Sequence, residues 1–90
     1  MFIGEVIGNV WATKKDEKLE GLKLMVVVPC DSDKDKIHKS DAIVAADIIG
    51  AGIGDKVLIA TGGAARVSVR REAPLDAAIV GIIDSVDIQE

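Results

Sequence analysis

The sequence predicts an all-β fold, a small closed barrel of five strands with at most one or two short helical turns. Three observations carry this. Hydrophobic residues make up 49% of the 90 and aromatics only 2%, so the core is built from Val, Ile, Leu and Ala, which suits a narrow barrel. The apolar segments are short and are punctuated by Gly, Pro and Asp. No segment sustains a helical period.

The elements follow in order. Residues 2–13, "FIGEVIGNVWAT", read as a strand in which Gly4 and Gly8 mark a bend, a bulge or a close backbone approach. "KKDEKLEG" is a polar connection. Residues 22–29, "LKLMVVVP", begin by alternating and become continuously apolar, and Pro29 ends the strand. "CDSDKDKIHKS", residues 30–40, is a charged loop. "DAIVAADI", residues 41–48, is a third strand, and "GAGIGD" turns the chain into a fourth, "KVLIAT", over residues 56–61. In "GGAARVSVRREAP" Gly62 and Gly63 open the stretch, and "AARVSVRRE" fits either a short helix or an extended arm. "LDAAIVGIIDSVDI" supplies the last strand.

Ninety residues make one domain, 1–90. A chain of this size buries only about 60% of its unfolded surface, so oligomerisation is the expected source of extra stability. Cys30 is the only cysteine, which excludes an intrachain disulfide and fits a reducing cytosol. The start, "MFIGEVIGNV", has neither the basic region nor the long apolar core of a signal peptide. The longest apolar runs fall far short of the roughly 20 residues a membrane helix needs. The net charge of −4 argues against sequence-independent phosphate binding. Lys14 with Lys15, and Arg66 with Arg70 and Arg71, still leave room for a small basic patch.

The stretch "DIIGAGIGDKVLIATGGAAR", residues 47–66, raises the central question, because glycine-rich loops beside strands often cradle phosphates. A P-loop needs G-x-x-x-x-G-K-[ST], but Asp55 follows Gly54 and Val57 follows Lys56. A dinucleotide fingerprint needs G-x-G-x-x-G opening a helix, and here a strand follows "GAGIG". The glycines therefore serve tight turns and close packing. Asp31, Asp33 and Asp35 imitate the start of a calcium loop, yet its sixth and twelfth positions hold Lys36 and Ala42 rather than Gly and Glu. Cys30 and His38 flank one loop as a nucleophile and base could, with no third group to orient them. Cys30 reads instead as a small buried hydrophobe. One Cys and one His build a four-ligand zinc site only across subunits. Trp11 is expected to pack against the barrel or an interface. Arg66, after small residues at a strand end, reads equally as an arginine that reaches carboxylates or carbonyls of a neighbouring chain and as a solvent-exposed one.

Taken together, "IGEVIGNVWATKK", "GLKLMVVVP", "AADIIGAGIGDKVLIATGGAAR" and "PLDAAIVGIID" resemble the EutN/CcmL family, the vertex proteins of bacterial microcompartment shells. The family pattern D-x-x-G-A-G-x-G-[DE]-x-V-L falls on Asp47, Gly50, Ala51, Gly52, Gly54, Asp55, Val57 and Leu58. The small-residue run to Arg66 falls on Gly62, Gly63, Ala64 and Ala65. The resemblance implies an OB-like barrel that assembles as a homopentamer. It would cap the fivefold corners of a cytoplasmic shell beside hexameric shell proteins, with no enzymatic activity, cofactor, metal, nucleic acid or membrane. On this reading Gly50, Ala51, Gly52, Gly54, Asp55, Thr61, Gly62, Gly63, Ala64 and Arg66 lie at the subunit interface or at an axial opening. The acid paired with Arg66 would be Asp47 or Asp76. The competing reading is an OB-fold module for single-stranded nucleic acid. The lack of Tyr and the single Trp and Phe weigh against it.

Overall fold

A computed structural model describes residues 1–13, 15–30, 41–69 and 73–88. Five strands close on one another: β1 (Phe2–Val10), β2 (Lys23–Pro29), β3 (Ile43–Asp47), β4 (Lys56–Thr61) and β5 (Ala77–Ile82). The order around the barrel is β1-β2-β3-β5-β4, and β4 closes it by pairing antiparallel with β1. The β3–β5 seam alone is parallel, and it is short, pairing Ala46 with Ala78 and Asp47 with Ile79. A helix, α1 (Gly63–Val69), fills the crossover between β4 and β5, and a 3-10 turn (Glu17–Leu19) lies between β1 and β2. The fold class matches the sequence reading, and the choice left open over "AARVSVRRE" falls to a helix as far as Val69, with residues 70–72 outside the described residues.

The two glycines of β1 do what strand glycines usually do. A Cβ on Gly4 would stand 2.9 Å from the carbonyl oxygen of Val28, so the strands approach too closely for any side chain. The register of β1 against β2 shifts between Val6 and Gly8, which is a β-bulge. That shift helps a five-stranded sheet curl far enough to close.

The core has two layers. Inside the barrel, Val6, Met25, Val27, Ala45, Val57, Ile59, Ala77 and Ile79 pack together, with Phe2 and Ile43 at the margin. On the outer face, α1 lays Ala65 and Val69 over Ala46 and Ala78, flanked by Leu22, Leu24 and Leu75. This second layer explains the Ala-Ala pairs in β3 and β5. Successive strand residues point to opposite faces, and here both faces are covered, so alternation gives way to continuous apolar sequence. Alanine on the outer face lets the helix sit close.

One expectation needs correcting, and one choice is narrowed. Cys30 is exposed, not buried, because the chain leaves the barrel there after one further ladder bond from its N–H to the Ile3 carbonyl. Trp11 does not pack on the barrel of its own chain: it is 90% exposed, since β1 ends one residue before it.

Candidate assembly site: the two glycine-rich loops

The first glycine loop, residues 48–55, is built around a buried carboxylate. Asp47 is the last residue of β3, and its side chain is fully enclosed. One carboxylate oxygen accepts the N–H groups of Ile49 and Gly50 at 2.9 and 3.1 Å, and the other accepts that of Ala51 at 2.8 Å. Lys23, register partner of Asp47 on β2, places its Nζ 3.6 Å from the carboxylate and donates to the Ala51 carbonyl at 2.8 Å. A buried charge is tolerated because hydrogen bonds and a counter-charge surround it. Ala51 is thereby fixed with its methyl group inside the barrel core.

The loop then turns through Gly52–Asp55. The Asp55 N–H bonds the Gly52 carbonyl at 3.1 Å, and Gly54 has φ +94°, which is the arrangement of a type II turn. Asp55 returns the bond, its carboxylate accepting the Gly52 N–H at 2.8 Å. Backbone bonds between Val6 and both Gly54 and Asp55 stitch the turn to β1. The N–H groups of Ile49, Gly50, Ala51, Gly52, Gly54 and Asp55 are therefore all taken within the chain. A phosphate would find these donors spent on carboxylates and carbonyls the protein already supplies. What the loop presents outward is apolar: Ile48, Ile49 and Ile53 are all exposed.

The second loop sits at the other end of β4, roughly 20 Å away for a six-residue strand. Thr61 closes the strand. Gly62, at φ +64°, donates its N–H to the Asp76 carbonyl at 2.8 Å and sends the chain into α1. Gly63, Ala64 and Arg66 are exposed, while Ala65 is buried. Arg66 donates to the carbonyl of Leu75 at 3.2 Å in its own chain. No ion pair joins Arg66 to Asp47 or Asp76 within the chain. Asp47 is spent on its own loop, so of the two acids considered for a neighbour's Arg66, Asp76 is the exposed one.

The ten residues expected at an interface or axial opening thus form two separate clusters. Gly50, Ala51, Gly52, Gly54 and Asp55 stand at one end of β4. Thr61, Gly62, Gly63, Ala64 and Arg66 stand at the other.

Lys23 was missed by sequence reasoning. Its pairing with Asp47 depends on the β2–β3 register, for which no local sequence signal exists. The role of Asp47 did carry a signal, since an Asp two to four residues before a glycine turn commonly accepts backbone N–H groups.

The calcium-like positions Asp31, Asp33, Asp35 and Lys36, together with His38, fall outside the described residues, as do Lys14, Arg70 and Arg71. Among the described residues no three His, Cys, Asp or Glu side chains stand together as a metal site. Among them, too, no helix is long and apolar enough to cross a membrane. Phe2 packs on the core, leaving Trp11 as the one exposed aromatic, a poor platform for successive bases.

Comparison with known proteins gives one consistent answer. The family described as "Ethanolamine utilisation protein EutN/carboxysome" matches residues 1–84. The bacterial microcompartment shell vertex protein GrpN of Rhodospirillum rubrum is 40% identical over 88 residues, which cover 97% of each chain. The solved structure of CcmL from a Nostoc species superposes with a TM-score of 0.89 at 38% identity, covering 99% of this chain and 93% of that one. The solved GrpN structure, described as a pentameric microcompartment shell protein, gives a TM-score of 0.83 at 38% identity over the whole of both chains. The barrel, the carboxylate-centred loop and this end-to-end likeness lead to one conclusion: the chain belongs to the EutN/CcmL family.

Proposed function

We propose that this chain is a structural shell protein whose homopentamers occupy the fivefold vertices of a bacterial microcompartment in the cytoplasm. The observation that carries the reading is the likeness to a pentameric shell protein over the full length of both chains. The geometry is consistent with it. The glycine loop that most resembles a ligand cradle has satisfied its own donors and turns isoleucines outward. That suits a contact surface better than a reaction site.

A flat sheet of hexameric shell proteins cannot close into a polyhedron, and fivefold units supply the curvature. Hexameric shell proteins are accordingly the lateral partners on this reading. A head-to-tail contact repeated by a fivefold rotation closes into a ring. The ring gathers a formal charge of 5 × (−4) = −20.

Native mass spectrometry of the purified chain tests the proposal. Five subunits of 9.4 kDa weigh 5 × 9.4 = 47 kDa. A dominant 47 kDa species is expected, and a clean monomer under gentle conditions would overturn the reading.

A further inference from the structure

β1 outruns its β4 partner. The β4 ladder ends at Glu5, and the turn at Gly54 and Asp55 takes over at Val6. Gly8, Asn9 and Val10 pair with β2 on one side. Among the described residues no backbone bond reaches them from the other side, so they present an open strand edge. At the same end of β1 a groove is lined by Val10, Trp11, Leu22 and Leu24, with Lys15 and Lys23 also in its lining.

The same chain carries an unplaced counterpart. The N–H of Ile83 makes the last described backbone bond to the barrel, to the Lys56 carbonyl at 2.8 Å. Residues 84–88 then run on without regular structure, all exposed. In an extended strand Val86 and Ile88 share one side, which matches an apolar groove. Lys15 already lies 3.7 Å from Glu20 and Lys23 3.6 Å from Asp47, so both positive charges are offset within the chain and the apolar contacts carry the fit.

We propose that residues 84–88 of one copy add as a strand along the open β1 edge of a second copy, seating Val86 and Ile88 against its Trp11. The occupant is a second copy because Trp11 is 90% and Ile88 81% exposed in one chain, which excludes their contact there. The donor segment and the acceptor groove are different surfaces of one chain, and such heterologous contacts generate rings. The inference rests on the pentamer reading and specifies which elements join neighbours.

The test is a disulfide trap in the full chain. Cys30→Ser removes the only native thiol, and Ala12→Cys with Ile88→Cys then places one thiol at the groove and one on the segment. Mild oxidation is expected to give a covalent ladder of two to five chains on a denaturing gel. A 47 kDa assembly whose oxidised chains still run singly would overturn the docking and leave the pentamer standing. A 9.4 kDa species in the unmodified protein would overturn both. In parallel, Val86→Asp with Ile88→Asp is expected to raise the protein concentration at half-dissociation about tenfold or more. The emission of Trp11, the only tryptophan, should move to longer wavelength as its groove empties. Unchanged dissociation with unchanged emission counts against the proposal.

Discussion

Asp47→Ala removes the acceptor of three backbone N–H groups and strands the counter-charge of Lys23. The three donors do not suffer equally. Ile49 and Gly50 are exposed and can turn to water, whereas Ala51 is fully buried. An orphaned buried donor costs about 1–3 kcal/mol, and each lost bond to a charged acceptor about 1.5–3 kcal/mol before water recovers part of it. The expected destabilisation is therefore about 3–5 kcal/mol. Asp47→Asn keeps one acceptor oxygen for Ile49 and Gly50 but turns an NH₂ toward the Ala51 N–H, for about 2 kcal/mol. Lys23→Met removes a half-exposed ion pair and one carbonyl bond, for about 1 kcal/mol. Thermal unfolding followed by circular dichroism reads the series. At about 4–8 °C per kcal/mol for a domain of this size, Asp47→Ala should fall by more than about 12 °C. Protomer concentration must be held fixed, because assembly raises the midpoint by mass action. A midpoint within about 2 °C of wild type, or Lys23→Met proving the worst of the three, would refute the carboxylate-centred account of the loop.

Other substitutions separate packing within a chain from packing between chains. A Cβ on Gly52 meets only the Asp55 carboxylate, at 3.8 Å, and φ is not positive there, so Gly52→Ala should leave monomer stability within about 0.5 kcal/mol. Gly52→Val should still weaken the 47 kDa species in native mass spectrometry, and an unchanged oligomer would remove this loop from the interface. Gly54→Ala, at φ +94°, should cost about 1–2 kcal/mol by chemical denaturation whatever the oligomer does. Gly4→Ala forces a Cβ to 2.9 Å from a backbone oxygen and should cost about 1–3 kcal/mol in the same assay. Arg66→Asp should dissociate the ring if Arg66 meets Asp76 of a neighbour, with Asp76→Arg restoring it. Failure of the reciprocal pair to recover the pentamer would reject that pairing.

The strands were legible because their punctuation is chemical. Pro29 lacks an N–H, Asp55 closes a turn, Gly4 marks a close strand approach and Gly8 the bulge. Strand ends were read too long wherever apolar sequence continued past the last ladder bond. Ile48 after Asp47 is a short case, and "WAT" after Val10 and "SVDI" after Asp84 are the two longer ones. Both overruns are exposed in one chain, and both belong to the contact proposed between copies. In the proposed contact, that apolar character would be covered by the neighbouring copy instead of lengthening a strand. The helix was ambiguous because only Ala65 and Val69, one turn apart, define its buried face. The pairing of Lys23 with Asp47 was illegible because it depends on register, a property of two distant segments.

This difference in legibility has a physical root in how the chain divides its apolar residues. Inside the barrel the large aliphatics meet one another, and outside it the alanines of β3 and β5 meet α1. Trp11, Ile48, Ile49, Ile53, Val67, Val86 and Ile88 join neither layer and remain exposed. Single exposed apolar residues are ordinary. Three isoleucines held outward by a loop with saturated hydrogen bonds are different, since the loop cannot easily fold them in without breaking the Asp47 and Asp55 networks. If this loop is an interface element, fixing its backbone from within would keep the isoleucines available to a neighbour, with the ordering entropy lost before subunits meet. If that is right, Asp47→Asn should lower ring affinity by more than its effect on the isolated chain accounts for. Dilution experiments at a temperature where the variant monomer stays folded would separate the two effects. Equal affinities there would mean that the network stabilises the barrel and does nothing further for assembly.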